Sequence, residues 1–408
     1  EDNAGNLVVG TKGYGVYWAS AAGGWQRIST EQGLSDKYVL SLCFDRGGNL
    51  WIGTDGGGLD RVKRKIFNTP AGLSGGVAQS VSEDAQGGLW AAFNLRGLTY
   101  YLTNTVQNYG IGQGSKAWSV LVDNRQHVWA GTSGEGLFQL MFNDFQPVDG
   151  AEKIGPQINV LFQGRDGTIW AGGQNGLGAF DGQDWKFYSV SDGLPPNSVR
   201  ALADDTNQNL WIGTYGGGLY KLHGGKISPV TAPVKDISCL LSDQNNTLWV
   251  GTSEHGLACL DNGRWTRFAE PDNVPSDVGY LVQDDRKNLW LGSYEGLIRI
   301  SVTNSAGGTV KITGTRQFGK SDGLPAQECS AGAQPAAIRS GDGKLWFSTI
   351  AGLVSVQPDD LQPNTNPPPV LIESVQVDGV NQQTNRLRPV WDRPVILKPG
   401  NEKLEIHF

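Results

Sequence analysis

The chain is poor in the residues that most chemistry needs. It has four histidines, His127, His223, His255 and His407, and none stands in His-x-x-x-His spacing or beside a Cys, Asp or Glu ligand set, which argues against a zinc centre. It has four cysteines, Cys43, Cys239, Cys259 and Cys329, without a Cys-x-x-Cys pair. They read as small buried apolar residues rather than as a disulfide framework. There is no Gly-x-Ser-x-Gly elbow and no phosphate loop ending in lysine. No apolar run approaches the roughly 18–20 residues that span a bilayer. No lysine or arginine cluster offsets the net charge of −7, which argues against nucleic acid. Also missing is a 3.6-residue apolar stripe sustained over three turns, the mark of an amphipathic helix.

Glycine is abundant instead, with 58 in 408 residues, as a turn-rich all-β chain requires. One sentence recurs. Asp205–Leu219 reads DTNQNLWIGTYGGGL, and Asp45–Leu59 reads DRGGNLWIGTDGGGL. Further copies begin at Asp2, Asp84, Asp123, Gly164, Asp243, Asp284 and Ser340, making nine. The anchoring tryptophans are Trp51, Trp90, Trp129, Trp170, Trp211, Trp249, Trp290 and Trp346, at intervals of 39, 39, 41, 41, 38, 41 and 56, with Val8 in the first copy. A period of roughly 40–45 residues is that of a four-stranded propeller blade. The inner strand precedes the Asp, Leu-Trp-Ile is the second strand, the third follows Gly-Leu, and the outer one carries Trp25, Trp185 or Trp265. Such a sheet cannot bury both faces alone, and radial stacking covers them. The expected fold is an all-β propeller of nine blades in one ring, with eight- and seven-bladed rings as alternatives.

The pattern Asp-x-x-Gly-x-Leu-Trp-Ile-Gly-Thr-x-x-Gly-Gly-Leu, with Gly-Leu-Pro further on, resembles the two-component regulator propeller repeat. That repeat builds the sensor regions of bacterial membrane receptors, and the likeness covers about residues 1–360. The resemblance implies that an immunoglobulin-like, tyrosine-rich domain begins after the propeller. The expected division is a propeller over 1–362, a proline-rich linker over 363–369 and a partial immunoglobulin-like segment over 370–408. A strand near Val370–Val377 is the candidate to close the first blade, whose inner strand is absent. The chain opens inside a blade, as a trimmed piece would.

Asp205-Thr-Asn-Gln-Asn209 has the first half of a calcium loop but no acidic closing ligand, so turn chemistry is the expected role. No metal, cofactor or catalytic residue is expected. Repeated positions hold the scaffold; positions that vary between copies on one face are free for function. On the face holding the loops between second and third strands stand Arg96, Glu135, Tyr215, His255 and Tyr294. At the starts of inner strands stand Tyr38, Trp118, Arg200 and Tyr280. Aromatic faces stack on sugar rings while Arg, Glu and His orient hydroxyls, so these nine are the expected ligand contacts, with Trp118 and Arg200 the sharpest.

The resemblance implies a non-enzymatic, ligand-sensing propeller on the periplasmic or extracellular side of a bacterial inner-membrane receptor. It implies an oligosaccharide or other small-molecule ligand, attachment to the membrane only through segments outside this chain, and homodimerisation. Two alternatives stand beside it. One is a polysaccharide hydrolase or lyase using a carboxylate pair drawn from Glu135, Glu254, Glu295 and Asp277. The other is a protein-interaction platform.

Overall fold

The computed structural model describes residues 1–361 apart from 3–4, 21–22, 46, 64, 115, 270–271, 305–309 and 331, and then 374–381 and 403–407. The expected linker over 363–369 and most of the segment over 370–408 lie outside the described residues. The chain divides into two units: Lys63–Leu361, and Glu1–Val62 together with Gln362–Phe408.

In Glu1–Val62, Leu7–Thr11, Gly15–Ala19 and Trp25–Ile28 form one antiparallel sheet. Val39–Phe44, Leu50–Thr54 and Gly58–Val62 form a second. Val16, Leu34, Leu50 and Ile52 are the buried core of this pair. Cys43 is exposed here, contrary to the expectation of burial, because its position on the strand faces away from that core. Ser374–Val377 is hydrogen-bonded on one side to Val380–Asn381 and on the other to Leu404–His407. Both of its edges are occupied, so it does not close the first blade as expected.

Lys63–Leu361 holds seven sheets. Blade 1 consists of Ala78–Glu83, Leu89–Phe93, Gly97–Leu102 and Thr105–Tyr109. The inner strands of blades 2 to 6 are Ala117–Val122, Ile158–Gln163, Val199–Asp204, Ile237–Ser242 and Tyr280–Gln283, each leading a four-stranded sheet. Blade 7 holds Ala337–Arg339, Leu345–Thr349 and Gly352–Val356. Each inner strand packs against the next, and those of blade 7 return to Ala78–Glu83 of blade 1. The ring therefore closes on seven blades, not nine. A repeat period counts sheets, but it does not say which sheet meets which.

Closure uses the start of the unit. Asn68 N–H donates to Ser355 O at 2.9 Å and Ser355 N–H returns to Asn68 O at 2.8 Å, giving blade 7 its outer edge. Phe67 then packs edge-on against Phe318 and Trp290 at 5.3 and 6.5 Å. The chain after Val62, where the preceding three-stranded sheet would continue, supplies this edge instead.

The repeated sentence has a hydrogen-bond grammar. In the Asp243 copy, Oδ1 accepts from the Asn245 and Thr247 amides at 2.8 and 2.9 Å, and Oδ2 from Trp249 Nε1 at 2.9 Å. The same indole-to-carboxylate bond joins Trp129 to Asp123, Trp211 to Asp205 and Trp290 to Asp284, at 3.0 Å each. Asp205 makes this turn network too, accepting from the Asn207 and Asn209 amides. The Thr of Gly-Thr donates to the Gly carbonyl four residues on, at 2.8 Å in both Thr214 and Thr252. Ser189–Gly193, ahead of Gly-Leu-Pro, is a turn of 3-10 helix in which Asp192 accepts from the Ser189 amide. Gly193 then takes φ +100°, a left-handed conformation that favours glycine.

Candidate functional site at the loop mouth of the ring

Inner strands run from one face of the ring, the loop face, to the Asp-turn face. Blade 7 departs from this course. Ser330 N–H donates to Ser348 O, and Ser348 N–H donates to Ala336 O. Residues 332–335 leave the blade and cross to the far side of the ring. Gln334 N–H donates to Asn159 O, and Leu161 N–H to Gln334 O, both at 3.0 Å. The Gln334 amide grips blade 4 from both ends, accepting from Leu202 N–H at 2.9 Å and donating to Leu202 O at 2.7 Å. Ser80 Oγ of blade 1 donates to Pro335 O at 2.6 Å. Residues 332–336 thus form a plug across the axis, tied to blades 1, 3, 4 and 7. On its Asp-turn side lies a cavity of about 390 Å3, lined among others by Leu202, Leu240, Leu281 and Pro335.

On the loop side the plug presents Gly332. Trp118 Nε1 donates to Gly332 O at 2.9 Å, and Arg200 Nη1 approaches the same oxygen at 3.4 Å. The Arg200 guanidinium lies over the Tyr215 ring, 5.4 Å from its centroid, and burial pulls its pKa down. Three expected contacts, Trp118, Arg200 and Tyr215, therefore meet at the mouth. Tyr215 is 57% exposed.

The others distribute differently. Tyr280 is buried, donates to Ser348 O at 3.1 Å and stacks on Phe347. It is a core residue and not a ligand contact, because its ring fills the space beside Gly292. The Arg96 guanidinium lies over the Phe93 ring, 3.8 Å from its centroid, and its Nη1 reaches Ser74 O at 3.4 Å. Glu135 accepts from the Gln113 amide at 3.0 and 2.9 Å, bracing a loop. The His255 amide donates to Thr252 Oγ1, and its Nδ1 is enclosed without a hydrogen-bond partner. Tyr294 is exposed, and its amide donates to Asp277 Oδ2 at 2.7 Å. Tyr38 belongs to the other unit, where it is partly exposed beside Gly13.

Among the described residues, Asp277 is the one carboxyl of this face pushed upward. Burial is the main cause; the Tyr294 amide opposes it, and the like charges of Glu295 and Glu328 add to it. Among the described residues no group of three or more His, Cys, Asp or Glu side chains converges as a metal site. The buried thiols are pushed up by desolvation, Cys239 and Cys259 to about 12 and Cys329 to about 11, so they stay protonated and act as core residues.

The plug was not expected from the sequence. Its signals were there: the 56-residue interval before Trp346, and a run of small residues ending in Gln334-Pro335 where an inner strand should stand. The long hairpin of Gly296–Asn304 and Val310–Phe318 accounts for only part of that interval.

These features define a β-propeller. The family described as two component regulator propeller matches residues 33–56, 193–216 and 232–254, so the chain carries that repeat. No curated protein sequence matches the chain. Among solved structures it is similar to the extracellular domain of the hybrid two component system BT3049 from B. thetaiotaomicron, with 22% identity and a TM-score of 0.74 over 95% of this chain and 54% of that one. It is also similar to the extracellular domain of BT4673 from the same organism, with 16% identity, a TM-score of 0.58 and coverage of 95% and 56%. Virginiamycin B lyase from Staphylococcus aureus shares the fold at 12% identity and a TM-score of 0.54, covering 71% of this chain and 97% of that one. The chain spans about half the length of the two hybrid-system domains.

Proposed function

We propose that the chain is the ligand-sensing propeller of a two-component-type membrane receptor, acting outside the cytoplasm and without catalysis of its own. One observation carries the reading. Trp118 and Arg200 converge on the plug carbonyl of Gly332, so the groups best suited to hold a ligand are bonded to the segment that ties four blades together. A ligand seated there competes with Gly332 for both donors, and occupancy is felt across the ring. The aromatic faces of Trp118 and Tyr215 beside polar donors suit an oligosaccharide. Signal output, membrane attachment and dimerisation belong to the longer receptor that this reading supposes.

The test is calorimetric titration of the chain with a panel of plant, algal and host oligosaccharides, with chromatography of the mixtures. One sugar class is expected to bind, with Trp118→Ala abolishing the heat and no product forming. Absence of binding across the panel would sink the saccharide reading.

Asp277 favours one second reading. A carboxyl whose pKa is raised by burial and by the like charges of Glu295 and Glu328 is shifted in the direction that a general acid of a polysaccharide hydrolase or lyase requires. Product formed by the wild-type chain and lost in Asp277→Asn would establish it; no product from any sugar that binds would dismiss it.

A further inference from the structure

A guanidinium carries five donors and a charge that cannot be removed at ordinary pH, so a half-buried arginine normally has a carboxylate partner. On the Asp-turn side even two exposed arginines do: Arg165 pairs with Asp204 at 3.2 Å, and Arg339 with Asp285. Among the described residues, Arg96 and Arg200 of the loop face do not. Among the described residues, the one hydrogen bond from the Arg200 guanidinium runs 3.4 Å to the neutral oxygen of Gly332, and the one from Arg96 runs 3.4 Å to the neutral oxygen of Ser74. Arg200 Nε, Arg96 Nε and Arg96 Nη2 are enclosed with no acceptor. Each cation instead rests on an aromatic ring, Tyr215 or Phe93.

Enclosed donors without acceptors are costly and are retained where something outside the chain answers them. A charged oxygen is a better acceptor for a guanidinium than a neutral carbonyl, by about a factor of two in bond strength. Gly332 O, held by Trp118 and Arg200 together, stands where such an oxygen would be received. Arg200 sits in blade 4 and Arg96 in blade 1, so two cationic points lie on different sides of one face.

We propose that the loop face recognises an anionic saccharide, a carboxylate or sulfate oxygen displacing Gly332 O from Arg200, with Arg96 receiving a second acid group of the same chain. This rests on the sensor reading above and names the ligand class for its site. Trp118 supplies the stacking face and one neutral donor. Arg200 discriminates acid from neutral.

The experiment titrates the chain by calorimetry with tetragalacturonate, with its carboxyl-reduced neutral counterpart, and with a sulfated galactan tetrasaccharide, at low and raised salt. The expected result is that one acidic probe binds about tenfold or more tightly than the neutral one, and that salt erodes the difference. Which acidic probe wins separates carboxylate from sulfate. Arg200→Gln is expected to abolish the acid preference, Arg200→Lys to keep part of it because the charge stays but the fork is lost, and Arg96→Gln to weaken the acidic probe alone. Melting curves check that each variant is folded. Should Arg200→Gln fail to fold, the wild-type preference and the Arg96→Gln and Arg200→Lys titrations decide. Equal binding of neutral and acidic probes, or a preference that survives all three variants, overturns the proposal and leaves the sensor reading standing. No binding by any probe, acidic or neutral, overturns both.

Discussion

The two faces of the seven-bladed ring are built from the same repeat and treat polar groups in opposite ways. On the Asp-turn face, the residue after the turn position in each blade reaches the next blade. Ala85 N–H donates to Gln126, Asn124 to Gln163, Arg165 to Asp204, Thr206 to Asn246 and Gln244 to Gln283, at 2.7–3.2 Å. Asp285 meets Arg339 of blade 7, and Gly341 N–H of blade 7 closes the circle on Glu83 of blade 1. Among the described residues no such circle runs on the loop face, and Arg96, Arg200 and His255 keep enclosed nitrogens without partners. A face whose turn residues are tied blade to blade holds the ring; a face with unanswered guanidinium donors is the one suited to a ligand. The difference can be tested by substitution on either side.

The largest effect is expected where the scaffold is densest. Trp290 is fully buried, stacks on Phe318 at 5.3 Å and donates to Asp284. Trp290→Ala removes that packing and leaves a buried carboxylate one donor short, at a cost of about 3–5 kcal/mol. Urea denaturation of the purified variant measures it, and a loss under about 1 kcal/mol would contradict the structural role assigned to the Asp…Trp bond.

Next comes the turn itself. Asp243 is buried and accepts from two amides and the Trp249 indole. Asp243→Ala strands those three donors and is expected to cost about 2–3 kcal/mol, since each unanswered buried group costs roughly 1–3 kcal/mol and neighbouring losses overlap. The same denaturation series should rank it below Trp290→Ala.

These two residues also mark how much was legible beforehand. The repeat made the four-stranded blade readable, because Asp, Leu-Trp, Gly-Thr and Gly-Leu each answer a local need that returns in every copy. Local grammar is silent on long-range partners. That Asn68 pairs with Ser355, far along the chain, is not a property of either residue's neighbourhood, and so the ring was expected to have nine blades. The site was half legible for the same reason. Trp118 and Arg200 stood out as residues the scaffold does not ask for at inner-strand starts. Tyr280 stood out in the same way and is core, since its fate depends on Ser348 and Phe347 in the next blade. The plug escaped because a departure from a repeat has no template.

On the loop face the expected stability effects are smaller and differ in sign. Arg200→Gln and Arg96→Gln each remove an enclosed charge that no carboxylate balances. Each should leave the melting temperature of the ligand-free chain within about 1–2 °C of wild type, or raise it. A loss as large as that of Asp243→Ala would place these arginines with the scaffold and erase the contrast between the faces.

The smallest effect separates the faces by pH. At the turns, burial pushes Asp123 and Asp205 up, but indole, amide and side-chain hydrogen bonds outweigh it and leave both below the ordinary carboxylate pKa. A lowered folded pKa gives stability that is present above the unfolded value and is lost as pH falls through the folded value. Asp277 runs the other way. Burial, reinforced by Glu295 and Glu328, raises it, so its contribution is full below the unfolded carboxylate pKa and is lost as pH rises through its own raised value. Asp277→Asn keeps an oxygen to accept the Tyr294 amide and has no charge to desolvate. It should therefore melt higher than wild type at neutral pH, by on the order of 1 °C. The gain should shrink as pH falls and vanish below the ordinary carboxylate range, where wild-type Asp277 is neutral too. Melting curves of the two proteins at stepped pH give the answer directly. A gain that stays constant with pH would mean that its surroundings do not raise the Asp277 pKa, and the general-acid reading would lose its only support.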